Sequence, residues 1–267
     1  MRVVRTVGAV RGARSGLPPE ARVGLVPTMG AFHDGHLSLF RAARTECEAV
    51  VVSLFVNPTQ FTEGDDLARY PRNESRDIEL AEAEGVDVLF APAVEELYQP
   101  GFQTWVEVEE LSRRLEGQFR PGHFRGVATV CLKLFNLVRP HIAYFGQKDA
   151  QQAALLRRMV RDLDLELELR VLPTVRDDDG LALSSRNANL SPEERRRALA
   201  LPRALEAGRE AFAEGSNPVE ATRAALDGLA ADYVDIVDLG SAKLLAAAAR
   251  VGSTRLIDNV VLEGDLQ

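Results

Sequence analysis

The sequence is poor in lysine, in cysteine and in long apolar runs, and its net charge is negative. The charge and the lack of long apolar runs each exclude a class of protein. Three of its 32 basic residues are lysines, and the formal net charge of −8 argues against general binding to nucleic acid or to an anionic membrane. No apolar stretch approaches the length needed to cross a bilayer. The two cysteines, Cys47 and Cys131, fall in apolar helical patterns, which predicts buried free thiols and a reducing, cytoplasmic environment.

The composition indicates a globular chain with a substantial core. With 267 residues, 46% of them hydrophobic, the chain can hold a main domain and a smaller companion. Apolar β-branched segments alternate with helical patterns up to about residue 175, which predicts an α/β fold with a parallel sheet covered on both faces. After residues 176–187 the pattern changes to Ala-, Arg- and Glu-rich helices and then strands at 233–237 and 254–262. We interpret this second part as a smaller α+β domain and the alanines at 246–249 as helix.

The stretch Val26–Leu39 is interpreted as the end of a strand, a glycine-rich turn and the start of a helix. Such a turn leaves helical N–H groups unpaired and favours a phosphate in front of them. His33 and His36, three residues apart, would place both imidazoles on one side of the first turn. They could stabilise growing charge, or be a weak metal pair or ordinary polar residues. The glycine spacing departs from the dinucleotide fingerprint, so a mononucleotide is the better interpretation.

Three further segments place polar residues at the end of a predicted strand or at the start of a predicted helix. Gln60, in the turn after the strand at 49–57, can offer an amide to a small polar substrate or be only a turn residue. The segment Arg120–Gly126 places basic residues at a helix start and predicts an anion-facing loop. Lys148, after the strand at 141–145, can reach a phosphate as a point charge, or be a lysine retained by chance.

A last polar segment follows the predicted strand at 165–175. Ser184 and Ser185 beside Arg186 suit phosphate oxygens. The acids Asp177–Asp179 resemble part of a calcium loop, but the remaining ligand spacing is absent, so a solvated turn is the preferred interpretation. Farther along, Ser191 and Pro192 predict the cap and first residue of a helix.

Four blocks together resemble the pantothenate synthetases, or pantoate–β-alanine ligases, a family of His-x-Gly-His nucleotidylyltransferases. The blocks are Pro27–His36, Phe55–Phe61, Arg120–Val127 with Phe145–Gln152, and Gly180–Asn187. The resemblance implies a Rossmann-like domain that binds nucleotide and pantoate, residues 1–175, a C-terminal α+β lid domain, residues 176–267, and a homodimer. It also implies that ATP and pantoate form a pantoyl adenylate with loss of pyrophosphate, and that β-alanine then displaces AMP to give pantothenate.

The resemblance also implies the site residues. The catalytic residues would be His36, in the position that the family treats as proton donor, with His33, Lys148 and Arg186. We expect these four to act as electrostatic stabilisers, because adenylation needs no proton for its leaving group. Pantoate would contact Pro27, Thr28, Met29, Gln60 and Gln152, and β-alanine would contact Gln60. The ATP site would comprise Met29, Gly30, Ala31, Phe32, His33, Asp34, Gly35, His36, Gly146, Gln147, Lys148, Asp149, Val175, Leu183, Ser184, Ser185 and Arg186.

Magnesium is expected on the nucleotide phosphates, with no dedicated protein ligand. Three positions depart from the family pattern: Phe32 stands for Leu, Asp34 for Glu, and Leu183 for the Met that precedes Ser-Ser-Arg. Two rival hypotheses are an adenylyltransferase that stops at a nucleotide product and a catalytically inactive nucleotide-binding regulator. Gln60 and Gln152 argue against the first, and the full set of His33, His36, Lys148 and Arg186 argues against the second.

Overall fold

The computed structural model describes residues 1–61, 67–68, 70–238 and 242–265. The chain divides into two compact units: unit 1 comprises Met1–Phe145 and Gln152–Leu172, and unit 2 comprises Gly146–Gln151 and Pro173–Gln267. The division into functional domains at residues 175 and 176 stays a prediction. Among the described residues, no helix combines the length and the apolar character that a membrane span requires.

Ten α-helices are defined within the described residues. They are α1 Val7–Ser15, α2 Asp34–Glu46, α3 Glu74–Ala83, α4 Val94–Leu97, α5 Glu116–Phe119, α6 His123–Val138, α7 Ala150–Asp162, α8 Pro192–Ala198, α9 Ala200–Ala213 and α10 Pro218–Ala225. The strands are β1 Arg2–Val4, β2 Val23–Thr28, β3 Ala49–Leu54, β4 Val88–Phe90, β5 Ile142–Gly146, β6 Glu168–Leu172, β7 Ala230–Asp238, β8 Ala242–Val251 and β9 Thr254–Gly264.

Unit 1 is built on a six-stranded sheet in the order β1-β4-β3-β2-β5-β6. The pairs β1–β4, β4–β3, β3–β2 and β2–β5 are parallel, with Val23 opposite Ala49 and Gly24 opposite Ile142. The strand order reverses direction between β2 and β5. In open α/β sheets ligands bind at the carboxyl ends of the strands beside such a reversal.

The central strands β2 and β3 of this sheet bury both faces, as the nearly continuous apolar runs predict. Leu25 and Val51 belong to the core that α1, α6 and α7 cover, whereas Val26, Val50 and Val52 belong to the core beneath α2 and α3. Alternate residues of one strand therefore enter opposite cores, as the period of two requires. The predicted α/β class with a parallel sheet is confirmed.

Unit 2 contains an antiparallel sheet in the order β7-β8-β9, with β8 in the centre. Helix α9 covers this sheet, and its Leu201 and Leu205 pack in one core with Leu245, Ala247 and Ala249 of β8. The prediction of a smaller α+β part is confirmed. Ser191 caps α8 with a capping box, and Pro192 is its first residue, as predicted.

Two local predictions need correction. The alanines at 246–249 form strand and not helix, because β8 pairs with a neighbour on each side and its small side chains fit beneath α9. The strand predicted over 165–175 is confined to Glu168–Leu172. Cys47 and Cys131 are free and buried, as predicted, and burial raises the pKa of the Cys131 thiol to about 12.

Candidate active site

The turn after β2 is fixed by a carboxylate from a distant helix. Asp77, on α3 and 2% exposed, accepts hydrogen bonds from the backbone N–H of Ala31 at 2.9 Å and of Phe32 at 2.8 Å. Burial raises the pKa of the Asp77 carboxyl, and the two amide hydrogen bonds lower it in part. The turn that carries the predicted ATP-binding residues therefore has its backbone held from outside.

The turn also requires unusual backbone angles. Gly30 has φ of +87° and Ala31 has φ of +52°, the left-handed region that favours glycine. A Cβ on Gly30 would lie 2.6 Å from Cδ1 of Leu54 and 2.9 Å from Oδ2 of Asp77. Glycine at residue 30 thus allows the backbone to pass close to both side chains.

His33 and His36 come together at the start of α2. His33 is the N-cap, and its Nδ1 accepts from the Gly35 N–H at 3.2 Å, while Nδ1 of His36 accepts from the His33 N–H at 3.4 Å. The ring centroids are 4.2 Å apart. Since each Nδ1 accepts a hydrogen bond, the neutral rings carry their protons on Nε2. Two N–H donors and the positive end of the α2 dipole are thus combined at one helix start.

Gln60 has a defined side-chain orientation. It ends the short 3₁₀ turn Pro58–Gln60, and its Oε1 accepts from Nδ2 of the buried Asn57 at 3.0 Å. Its Nε2 lies 3.1 Å from Sδ of Met29. Two of the residues predicted to contact pantoate, Gln60 and Met29, therefore touch each other. A third, Thr28, uses its hydroxyl to donate to the Ser53 carbonyl at 2.6 Å.

The segment Arg120–Gly126 has protein partners in the described structure. Nδ1 of His123 lies 2.7 Å from the carbonyl oxygen of Gln60, and Arg120 donates to the same oxygen at 3.3 Å. The guanidinium of Arg125 lies over the Trp105 ring, 4.5 Å from its centroid. The contacts of His123 and Arg120 hold the backbone of Gln60, and the anion-facing role of this segment stays a prediction.

In unit 2, Gly146–Gln151 forms the loop that carries Lys148. Residues Gln147–Asp149 make one 3₁₀ turn, and the Lys148 side chain is 17% exposed with its Nζ 3.8 Å from Oδ2 of Asp149. Nδ2 of Asn259, on β9, donates to the carbonyls of Gln147 at 2.9 Å and Lys148 at 3.0 Å. The side chain of Gln147 donates from Nε2 to Oδ1 of Asn259 at 3.2 Å, so this amide is engaged within the protein.

The other predicted residues of unit 2 lie around one turn. The N–H of Leu183 donates to the Val175 carbonyl at 3.0 Å, which places these two half-buried residues side by side. Ser184 begins the 3₁₀ segment Ser185–Asn189, and its Oγ accepts from the Arg186 N–H at 3.3 Å. Val175, Leu183, Ser184 and Arg186 are thus brought into one neighbourhood.

Ion pairs stabilise this turn. Arg176 forms a two-point pair with the buried Asp258, at 2.7 and 3.0 Å, and donates to the Gly180 carbonyl at 3.2 Å. Arg195 pairs with Asp177 at 2.5 Å and with Asp179 at 2.8 Å. Burial alone would raise the pKa of Asp179, but hydrogen bonds from Arg195 and the Leu181 N–H lower it overall. Two of the three acids considered as a calcium loop are therefore paired with arginine.

Gln152 belongs to unit 1, as the third residue of α7, and is half-buried. The remaining predicted residues divide between the units. Pro27, Thr28, Met29, Gly30, Ala31, Phe32, His33, Asp34, Gly35, His36 and Gln60 belong to unit 1, and Gly146, Gln147, Lys148, Asp149, Val175, Leu183, Ser184, Ser185 and Arg186 belong to unit 2.

Three residues with evident effects on the site were missed by sequence reasoning: Asp77, Asn57 and Asn259. Two of them had a signal in the sequence. Asp77 shares the buried face of α3 with Ala81, four residues later, where an acid is unexpected. Asn259 follows Asp258 in the otherwise apolar run Leu256–Leu262. A polar residue in an apolar stripe needs a partner, and here the partners are loops of the candidate site.

The described side chains do not form a recognisable metal centre. Within the described residues, no group of three or more His, Cys, Asp or Glu side chains is arranged to hold a metal ion. His33 and His36 use their Nδ1 atoms on backbone N–H groups, which argues against the alternative that they form a metal pair through those atoms.

Comparison with known proteins gives a consistent result. The family model described as pantoate-beta-alanine ligase matches residues 2–261. The chain is 53% identical to the pantothenate synthetase of Roseiflexus castenholzii over 279 aligned positions, covering 98% of this chain and 100% of the relative. It is 48% identical to the pantothenate synthetase of Thermotoga neapolitana, with the same coverage of 98% and 100%.

Solved structures agree with the sequence comparison. The pantothenate synthetase of Thermus thermophilus has a TM-score of 0.93 at 48% identity and covers 98% of this chain and 99% of its own. The pantoate-beta-alanine ligase of Francisella tularensis, solved in complex with beta-gamma ATP and β-alanine, has a TM-score of 0.86 at 35% identity and covers 100% of both chains. The chain therefore belongs to the pantoate–β-alanine ligase family.

Proposed function

We propose that the protein joins pantoate to β-alanine in two steps, through a pantoyl adenylate that stays bound between them. In the first step a carboxylate oxygen of pantoate attacks the α-phosphorus of ATP, and the bond from that phosphorus to pyrophosphate breaks. In the second, the amine nitrogen of β-alanine attacks the acyl carbon, AMP leaves and the nitrogen loses a proton, giving pantothenate. The observation that carries the proposal is the family match across residues 2–261.

The first step needs stabilisation of negative charge on the triphosphate. The start of α2 offers the positive end of its dipole and the Nε2–H groups of His33 and His36, whose rings lie 4.2 Å apart. In unit 2, Lys148 and Arg186 supply positive charge, and Ser184 and Ser185 supply hydroxyls. We assign His36 as a hydrogen-bond donor to phosphate and not as a general acid, because pyrophosphate leaves without needing a proton.

Pantoate, the substrate that reacts with ATP, is small, polar and hydroxylated, and the amide of Gln60 suits it. Because Asn57 donates to Oε1 of Gln60, the Nε2 group of Gln60 remains as the donor that faces Met29. We assign Pro27, Thr28, Met29, Gln60 and Gln152 to pantoate, with Gln60 also contacting β-alanine. The Thr28 hydroxyl donates to the Ser53 carbonyl and the Thr28 N–H donates to Ser53 Oγ, so the proposed contact of Thr28 uses an oxygen lone pair.

ATP and β-alanine as ligands are supported by the relative from Francisella tularensis, solved in complex with beta-gamma ATP and β-alanine. Magnesium enters this proposal as the partner of the ATP phosphates, that is, as part of a substrate. The described side chains offer no dedicated metal site, so no step is assigned to a protein-bound ion.

The homodimer, the lid role of residues 176–267 and the cytoplasmic location are also part of the proposal. The homodimer and the lid role rest on the family resemblance. Two buried free thiols, Cys47 and Cys131, suit a reducing compartment and support the location. Light scattering on the purified protein would test the dimer, since a monomer at working concentration would contradict it.

A substrate-omission assay tests the reaction itself. The purified protein is incubated with ATP, pantoate and β-alanine, omitting one compound at a time, while pyrophosphate and AMP are measured separately. We expect pyrophosphate release to require pantoate and AMP release to require β-alanine. Pyrophosphate release without any β-alanine-dependent release of AMP would indicate an adenylyltransferase, and ATP binding without any turnover would indicate a regulator. Either result, or AMP formation that ignores β-alanine, would overturn the proposal.

A further inference from the structure

Asn259 is a buried amide in an apolar strand. It lies within β9, is 3% exposed, and is followed by Val260 and Val261. Its neighbour Asp258 is also 3% exposed and accepts from the Asn259 backbone N–H at 2.8 Å. A buried side-chain amide is costly unless its donors and acceptor are all paired, so its partners indicate its purpose.

The partners of the Asn259 side chain all belong to the loop that carries Lys148. Its Nδ2 donates to the carbonyls of Gln147 and Lys148, and its Oδ1 accepts from Nε2 of Gln147. Both Nδ2 donors and the Oδ1 acceptor are thereby used. These contacts span 112 and 111 residues of sequence, so the loop is held by a separate element and not only by its own turn.

The direction of these hydrogen bonds matters for an anion. In a trans peptide the C=O and the following N–H point in opposite directions. Holding the carbonyls of Gln147 and Lys148 toward Asn259 therefore turns the N–H groups of Lys148 and Asp149 away from β9. Because the Asp149 N–H closes the 3₁₀ turn onto Gly146, these hydrogen bonds set the orientation of the Lys148 N–H and of the Cα atom from which the Lys148 side chain extends.

We propose that Asn259 is a positioning residue for Lys148, fixing the loop so that the ammonium group meets the nucleotide phosphates in one preformed arrangement. The inference rests on the proposed function, since it needs Lys148 to contact the nucleotide. Asn259 contacts the carbonyls of Gln147 and Lys148 and the Gln147 side chain, so the effect assigned to it passes through the position of Lys148. A purely structural role would instead predict a loss of stability without a specific link to Lys148.

A double-mutant cycle tests this link. Asn259→Ala removes all three side-chain hydrogen bonds, and we expect kcat to fall about tenfold or more, because small displacements of a positioned group have large effects on rate. The KM for pantoate should change little. In a Lys148→Ala background the same substitution should change kcat by no more than about twofold, the limit expected when one residue acts through the other.

Two further variants guard against trivial explanations. Asn259→Ser keeps one hydroxyl donor and should give an intermediate rate, and it serves in the cycle if Asn259→Ala does not fold. Val260→Ala is the matched control: it removes apolar packing from the next residue of β9 without touching the loop. We expect Val260→Ala to lower the unfolding midpoint while leaving kcat close to that of the parent.

Hydrogen exchange of the loop amides measures how firmly Asn259 holds the loop, and it does not depend on activity. We expect amides of 146–151 to exchange faster in Asn259→Ala, and not in Val260→Ala. Equal losses of kcat in the parent and Lys148→Ala backgrounds, or unchanged exchange in the loop, would overturn the inference and leave the proposed function standing. Unchanged kcat in Lys148→Ala alone would overturn the proposed role of Lys148 and the inference with it.

Discussion

Two loops of the molecule are held by opposite kinds of group. The turn after β2, Met29–His33, is fixed by the carboxylate of Asp77, which accepts from two backbone N–H groups. The loop Gly146–Gln151 is fixed by the amide of Asn259, which donates to two backbone carbonyls. Each of these two side chains lies on an element distant in sequence from its loop, and each is hydrogen-bonded to two consecutive peptide groups.

The difference indicates how each loop would serve the proposed phosphate ligand. In the first turn Asp77 consumes the N–H groups of Ala31 and Phe32, so a ligand would meet instead the start of α2 and the rings of His33 and His36. In the second loop Asn259 is hydrogen-bonded to two backbone carbonyls, so a ligand would meet the N–H and the charge of Lys148. The first loop therefore depends on backbone shape and the second on a placed cation, and substitutions can separate the two.

The largest expected effect is on the cation of the second loop. Lys148→Ala should lower kcat by roughly 10²-fold or more, because a lost charge contact to a transition state in a water-poor site is worth several kcal/mol. Steady-state rates with saturating ATP, pantoate and β-alanine measure the change. Lys243→Ala is the control: Lys243 is 46% exposed and pairs with Glu263 at the surface, so its loss should leave kcat unchanged.

If the rates of Lys148→Ala and Lys243→Ala are equal, charge at residue 148 is irrelevant and the comparison between the loops fails. A partial recovery of rate in Lys148→Arg would sharpen it, since arginine keeps the charge but changes its geometry.

Sequence reasoning predicted the loops but not what holds them. The strand ends that precede His33, Gln60 and Lys148 were evident, because apolar runs and the turns that end them are local patterns. The hold of Asp77 on Ala31 spans 46 residues and that of Asn259 on Gln147 spans 112. A local pattern carries no information about such a pairing, so a polar residue in an apolar stripe is the only warning that the sequence offers.

The wrong prediction at 246–249 has a related cause. Four alanines favour a helix by their own propensity. In the folded chain they lie in β8, with Ala246 opposite both Asp235 and Asn259. Pairing on both sides of a central strand outweighs a propensity difference of less than about 1 kcal/mol per residue. The neighbours that decide the structure are again distant in sequence.

The next effect concerns the backbone of the first turn, and stability measures it. Gly30→Ala places a side chain at φ of +87°, with contacts of 2.6 Å to Leu54 and 2.9 Å to Asp77. Gly101→Ala is the matched control, because Gly101 has φ of +83° but nothing within 4 Å of the added Cβ. Both variants carry the left-handed strain of about 1–2 kcal/mol, and Gly30→Ala carries a further ~1–3 kcal/mol from overpacking.

Urea unfolding of the two glycine variants gives this difference directly. We also expect Gly30→Ala to raise the KM for ATP, since the Asp77 carboxylate must move to admit the methyl group and its hydrogen bonds to Ala31 and Phe32 weaken. Equal free energies of unfolding for the two variants would mean that the close approach at Gly30 has no energetic importance.

The smallest expected effect concerns the charge of the Asp77 carboxylate, which holds the turn after β2. Because burial raises the pKa of Asp77, the Asp77 carboxyl keeps its proton to a higher pH in the folded protein than in the unfolded chain. Ionisation of Asp77 therefore opposes folding, and the contribution of Asp77 to stability falls as pH rises from the unfolded carboxyl pKa, about 3.9, through the higher folded pKa.

In Asp77→Asn this component disappears, so the stability of the parent relative to the variant should decline with pH in that range. The slope stays below about 1.4 kcal/mol per pH unit, the limit for one proton. Urea unfolding of both proteins at several pH values measures it, and a relative stability that rises with pH would show that the hydrogen bonds from Ala31 and Phe32 outweigh burial.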